Sequence, residues 1–218
     1  MTTRPKYHSK RVAGWFRRPH AHYDSPWGGF LAAMRSSSPS VRPAKPRDGV
    51  AIARINVAAW ESAYAHLFPP ERLAARWTTL ERAGEWWAER IGSGKPPQRT
   101  FVAEQERQVV GFADTGPSRD DDADPQQTGE LNLIYVLPER WGRGIGQALM
   151  AEAVRAMRGD GFSEATLWVL EDNPIGRRFY EAGGWRSDGA LKEVDVLATR
   201  VREVRYRRST ARGRIGQT

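Results

Sequence analysis

The chain has 218 residues, enough for one domain with a real core plus some additional chain, which argues against a fibrous or tail-like protein. Its 34 Lys and Arg outnumber 26 Asp and Glu for a net charge of +8, a balance that by itself suggests a nucleic-acid binder. Residues 1–39 carry +6 of that excess and residues 209–218 carry +2, so residues 40–208, with 25 basic and 25 acidic side chains, are neutral and give a nucleic-acid partner no support. The absence of cysteine excludes disulfides, thiolate metal sites and a cysteine nucleophile. No run approaches the roughly 20 apolar residues of a membrane span, and no apolar stretch follows the basic N-terminal residues as a secretory signal requires. A cytoplasmic protein without a membrane partner, monomeric or homodimeric, is expected.

Residues 1–39 are rich in Arg, Ser, Pro, Gly and His without sustained periodicity and read as a weakly ordered basic arm. The spacing of His8, His20 and His22 gives no paired helical face for zinc, so no metal is expected. Val41 to Ala44 reads as an edge strand, because Pro43 cannot donate to a ladder. Asp48 is placed to cap a helix in which Ala51, Ile52, Ile55, Ala58, Ala59 and Ala63 recur at helical spacing to about His66, before Phe68-Pro69-Pro70 stops it. A second helix is expected from Glu71 to about Ile91, with Leu73, Trp77, Leu80, Trp87 and Ile91 on one side and Gly92 and Gly94 at its end. Thr100 to Glu104 and Val109 to Thr115 form a hairpin. The stretch from Gly116 to Gly129, with its run Asp120, Asp121, Asp122 and Asp124, reads as a solvated loop.

Leu131 to Leu137 is nearly unbroken apolar sequence, the mark of a buried central strand. Gly142, Gly144 and Gly146 follow, then a helix with Ile145, Leu149, Ala153, Ala156 and Met157 on one face, closed by Gly159 and Gly161. Ala165 to Leu170 is a second buried strand, and Asn173-Pro174 opens a helix that ends at Ala182-Gly183-Gly184. Trp185 begins a strand, and Arg200 to Arg208 closes the domain with imperfect strand alternation.

A strand, a turn with alternate glycines and a helix together make a phosphate-binding device: glycines let the backbone approach, and unpaired amides and the helix dipole favour negative charge. A dinucleotide fingerprint G-x-G-x-x-G fails here, because Gln147 or Leu149 stands at the third glycine position in either register. A nucleotide P-loop fails too, since no Gly-Lys-Ser/Thr follows.

The run from Leu133 to Met150, including Trp141-Gly142-Arg143-Gly144-Ile145-Gly146, resembles motif A of the GNAT superfamily of N-acetyltransferases. The run Leu167 to Pro174 followed by Arg178 to Trp185 resembles their motif B, and Val41 to Ala44 with Asp48 and Ala58-Ala59-Trp60 is similar to their first strand and helix. The resemblance covers residues 40–208 as one domain, leaving 209–218 as a basic tail. It implies an α/β (α+β) GNAT fold, a mixed and mostly antiparallel central sheet of about seven strands flanked by about four helices, with a splay between the central strands. It also implies acetyl-coenzyme A as co-substrate and direct acetyl transfer to a primary amine of a small molecule or peptide.

By the same resemblance, the backbone amides of Gly142, Arg143, Gly144, Ile145 and Gly146 bind the pyrophosphate, with Arg140 and Arg143 as extra charge. The amide of Val136 faces the thioester carbonyl, Asn173 holds the pantetheine amide, and Tyr180 protonates the departing thiolate. The family's loop opens with Gln or Arg where this chain has Trp141, which touches a side chain but not the backbone cradle. Glu130, at the strand entry and on the same strand parity as Val136, is the expected base; Asn132 cannot act as one. Trp60, Tyr64, His66 and Phe68 are candidates for the acceptor slot. The competing reading is an inactive acetyltransferase-like scaffold that binds nucleic acid through its basic ends.

Overall fold

The computed structural model describes residues 39–75 and 79–211. The expected arm up to residue 38 with its histidines, Trp77, and the tail from residue 212 lie outside the described residues.

Seven strands form one sheet in the order β1-β2-β3-β4-β5-β7-β6: β1 (Ser40–Pro43), β2 (Arg99–Gln105), β3 (Gln108–Pro117), β4 (Thr128–Val136), β5 (Glu164–Leu170), β6 (Arg186–Val196) and β7 (Thr199–Ser209). All neighbours are antiparallel except β4 and β5, which run parallel. Among the described residues five helices flank the sheet: α1 (Gly49–Tyr64), α2 (Pro70–Ala75), α3 (Leu80–Ser93), α4 (Ile145–Gly159) and α5 (Pro174–Ala182). The seven-stranded mixed sheet agrees with expectation, whereas the single helix expected from Glu71 to Ile91 is two. Thr79 adopts extended backbone and accepts a hydrogen bond from the Arg82 amide at 3.2 Å, so α3 has its own N-cap inside what reads as one apolar period.

Asp48 precedes α1 but does not cap it with its side chain. Its carboxylate turns back to accept from the Lys45 amide at 2.8 Å and from both terminal nitrogens of Arg42 at 2.7 and 3.1 Å. Burial opposes ionisation there, but the Arg42 guanidinium and the Lys45 amide outweigh it and hold Asp48 below the usual carboxylate range. The edge strand β1 is thereby tied to the start of α1.

The sheet packs apolar side chains on both faces. On one face Leu131, Ile134, Leu167, Val169, Val204 and Tyr206 meet Ile145, Leu149, Ala153 and Met157 of α4. On the other, Val102 and Phe112 meet Ile52 and Ile55 of α1 and Trp87 of α3. Each fully buried side chain of this size contributes about 1.5–3 kcal/mol by leaving water. Helices α1 and α3 touch through glycine: a Cβ on Gly49 would stand 2.3 Å from the Gly84 carbonyl oxygen and 3.0 Å from the Ala88 amide. Gly49→Ala is therefore expected to force the helices apart and cost about 2 kcal/mol, read as a lower urea midpoint; an unchanged midpoint would contradict the close approach. Among the described residues no helix is long and apolar enough to cross a membrane.

Candidate active site

Strands β4 and β5 pair only at Thr128 with Glu164, Gly129 with Ala165 and Glu130 with Thr166. Beyond that point β4 stays with β3 as far as Val136 and β5 stays with β7 as far as Leu170, so the sheet opens between them. The opening begins beside an irregularity. Thr115 pairs with Leu131 and Asp114 with Leu133, which leaves Asn132 as an extra residue, a β-bulge.

The bulge reverses the alternation of β4. Leu131 lies on the α4 face together with Ile134 and Val136, while Leu133 and Tyr135 lie on the α1 and α3 face. The Leu137 amide donates to the Val110 carbonyl at 2.9 Å, which makes Val136 and Gly111 a non-hydrogen-bonded pair. The N–H and C=O of Val136 therefore point away from β3 into the gap, as do those of Ile134 two residues earlier. The Val136 carbonyl accepts from Trp141 Nε1 at 2.8 Å. Trp141, standing where the family pattern has Gln or Arg, thus holds the end of β4 to the turn that follows it.

A cleft of about 530 Å³ occupies the gap. At one end lies the glycine turn. Gly142 and Gly144 have φ of +74° and +78°, left-handed backbone that side-chain-bearing residues enter only at a cost of about 1–2 kcal/mol. Gly146 has a different reason: a Cβ there would lie 3.1 Å from the Phe179 ring, so its bareness lets α5 pack on the first turn of α4. Gly142, Gly144, Ile145 and Gly146 line the cleft, with Ile145 offering only backbone because its side chain is buried in the core. Arg140 also lines it and donates to Gln105 Oε1 at 3.2 Å. Arg143 is exposed and is not part of the lining.

Helix α5 forms the opposite wall. Tyr180 lines the cleft, and burial, with the Tyr135 and Tyr64 hydroxyls nearby, pushes its hydroxyl well above the ordinary tyrosine range, so it stays protonated. Asn173 Oδ1 accepts from the Gly176 amide at 2.8 Å as the helix cap, and its Nδ2 donates to the Tyr64 hydroxyl at 3.0 Å. Both ends of this side chain are thus engaged in joining α5 to α1.

Glu130 is placed differently from the expectation. The parity argument that put it beside Val136 fails at the Asn132 bulge, and Glu130 is not in the cleft lining. Its buried carboxylate accepts from Arg119 Nη2 at 2.8 Å, Arg119 Nε at 3.2 Å and the Arg119 amide at 3.2 Å. Arg119 also donates to Asn132 Oδ1 at 3.0 Å, so the pair holds the bulge.

Of the four acceptor-side candidates, Trp60 and Tyr64 line the cleft, with ring centroids 4.5 Å apart. Trp60 Nε1 donates to the Tyr135 hydroxyl at 2.8 Å. Phe68 instead belongs to a buried cluster with Leu73 and Leu170, and His66 meets the Asp172 carbonyl at 3.2 Å on the surface.

The acidic loop is not merely solvated. Asp120 and Asp122, with Asp188 from β6, surround the buried guanidinium of Arg205 at 3.2, 2.6 and 2.7 Å. Sequence reasoning missed Arg205, Trp168 and Glu203. The available signals were a lone Trp in the aliphatic run of β5 and the charges at Glu203, Arg205 and Arg207 on one parity of β7.

A profile of the Acetyltransferase (GNAT) family matches residues 53–185. An uncharacterized N-acetyltransferase of Bacillus subtilis is 35% identical over 136 residues, 62% of this chain and 73% of that protein. Mycothiol acetyltransferase of Frankia alni is 33% identical over 131 residues, 56% of this chain but 37% of that protein, so this chain spans well under half of its length. The PaiA N-acetyltransferase of Thermoplasma acidophilum, solved in complex with coenzyme A, superimposes with a TM-score of 0.59 at 19% identity, over 79% of this chain and 99% of that one, and so shares the fold. The matched residues run from within α1 through the β4 bulge, the glycine turn and all of α5, which build most of the cleft, and the chain belongs to the acetyltransferase (GNAT) family.

Proposed function

We propose that the protein transfers the acetyl group of acetyl-coenzyme A directly to a primary amine of a small molecule or peptide. The observation that carries this reading is the edge of β4 at the splay, with the amide and carbonyl of Ile134 and the amide of Val136 facing outward and a glycine turn at its end. An extended amide-containing chain ending in phosphates fits that arrangement, because the strand edge can pair with its amides and the start of α4 offers unpaired N–H groups. When bound, acetyl-coenzyme A supplies an activated thioester carbonyl.

The amides of Gly142, Arg143, Gly144, Ile145 and Gly146 receive the pyrophosphate, and Arg140 and Arg143 add charge beside it. The Val136 amide donates to the thioester oxygen as negative charge develops there. Tyr180 gives its proton to the departing sulfur as the C–S bond breaks, and the nitrogen, which attacks as the free amine, releases its proton to solvent water as the C–N bond forms. Asn173 fixes the start of α5 and with it the position of Tyr180. Glu130 serves by anchoring Arg119 and the bulge rather than as proton acceptor. The cleft wall formed by Trp60, Tyr64, Tyr135 and Trp168 receives the acceptor.

Calorimetric titration of the full chain with acetyl-coenzyme A tests the reading. Saturable one-to-one binding and release of coenzyme A in the presence of a primary amine are expected; no binding would overturn it. Gly144→Ala should weaken donor affinity at least severalfold and cost about 1 kcal/mol of stability, because φ of +78° is left-handed. Unaltered affinity and midpoint in that variant would show that the turn does not cradle the donor.

A further inference from the structure

The other end of the cleft carries an inference that rests on the donor reading above. Among the described lining residues there is one carboxylate, Glu203, and one cation, Arg140. Arg140 stands by the glycine turn, whereas Glu203 lies on β7 opposite Leu170, the last residue of β5. The cleft therefore presents a guanidinium, which also reaches Glu106 at 3.5 Å, where phosphates would enter, and a carboxylate where the acceptor would sit.

Glu203 already holds an ammonium group. Lys192 Nζ lies 3.2 Å from its carboxylate and 3.9 Å from the centre of the Trp168 ring. The indole is fixed in turn, because its Nε1 donates to Asp120 at 2.8 Å. A carboxylate beside an indole face is a site built for an alkylammonium, with charge-assisted hydrogen bonding from one side and cation–π attraction from the other. Lys192 reaches it from β6 on a flexible stem, with its side chain 41% exposed, so it can leave for solvent at little cost. Glu203 and Trp168 themselves line the cleft.

We infer that Glu203 and Trp168 recognise an ammonium group of the acceptor, which takes the place that Lys192 Nζ holds in its absence. The recognised group is either the amine that becomes acetylated or a second ammonium on the same molecule. A carboxylate presented to the same place is rejected by Glu203.

The full chain, with and without coenzyme A, is titrated by tryptophan fluorescence with n-butylamine, 1,5-diaminopentane, n-butanol and butyrate at neutral pH. Both amines are expected to bind and the alcohol and acid to bind at least about tenfold more weakly, the scale of one charge-assisted contact. Glu203→Gln should weaken amine binding by about tenfold with coenzyme A affinity unchanged, and Lys192→Met should strengthen it severalfold by removing the internal competitor. A diamine that binds tighter than the monoamine assigns the site to a second ammonium, and equal affinities assign it to the reacting amine; both support the site. Amine binding that is absent, matched by butanol, or untouched by Glu203→Gln would overturn the inference. Trp168→Leu serves as a second variant, expected to lose amine affinity. Loss of coenzyme A binding by the unaltered chain would overturn the donor reading instead, and the titration without coenzyme A still reads the ammonium site.

Discussion

Tyr180→Phe is expected to lower kcat by about 100-fold, the scale of a positioned general acid, while acetyl-coenzyme A affinity and the unfolding midpoint stay close to those of the unaltered protein. The hydroxyl lines the cleft, and among the described residues no hydrogen bond holds it, so its removal leaves no buried partner unsatisfied. Phe keeps the ring contacts to Phe179 and Tyr206, at centroid distances of 5.4 and 6.2 Å. The pH dependence follows from the sign of the shift. Burial raises the pKa of this hydroxyl above the ordinary tyrosine value of about 10, so the proton is present throughout the neutral and moderately alkaline range. The ratio of the two turnover rates should therefore stay flat up to about pH 10 and fall only above it. Equal turnover, or a ratio that collapses between neutral pH and about pH 9, would remove Tyr180 from the acid role.

Much of this site could be read from the sequence because its parts are local. An apolar run, alternate glycines and an Asn-Pro helix start report on backbone conformation within a few residues, and β4, the left-handed Gly142 and Gly144, and the cap at Asn173 stand where those signals put them. What could not be read depends on non-local pairing. The bulge at Asn132 exists only in the register of β4 against β3, and it moves Glu130 to the face opposite Val136. Strand parity counted along the sequence has no way to register it. The break between α2 and α3 was hidden for a different reason: Leu73, Leu80 and Trp87 keep helical spacing across it, and only the Thr79 cap marks the boundary. The hairpin of β6 and β7 shows the same limit. Glu203 follows Arg202 in a run whose alternation is imperfect, and its place in the cleft depends on pairing with Leu170 of β5.

Arg205→Met is expected to be the most destabilising of the substitutions considered. The guanidinium is 6% exposed and is the common partner of Asp120, Asp122 and Asp188, which come from two separate segments. Met preserves volume but leaves Asp120, Asp122 and Asp188 with Arg207 as their one remaining guanidinium, at 2.5 Å from Asp188 and 3.5 Å from Asp122, and Asp120, the partner farthest from solvent, loses its cation, so a loss of about 3 kcal/mol is expected, as for breaking a buried ion pair by removing one partner. In a domain of this size that is a drop in Tm of about 6–12 °C. The sign with pH is fixed by the carboxylates. Hydrogen bonding from Arg205 lowers Asp122; at Asp188 burial opposes the shift, but the Ala190 amide, Arg207 and Arg205 prevail and hold it below the usual range. Groups lowered in the folded state stabilise above their unfolded pKa of about 4 and lose that contribution as pH falls through the lowered values. The unaltered protein should thus lose stability below about pH 4, whereas crowded aspartates in the variant take up protons more readily, so the gap between the two narrows in acid. The cluster also touches the cleft, since Asp120 fixes the Trp168 indole. Arg205→Met should therefore raise KM for the amine while acetyl-coenzyme A affinity holds. A loss under about 1 kcal/mol at neutral pH, the ceiling for exposed pairs, would mean that solvent screens the cluster and that the 118–127 loop is held by its backbone instead.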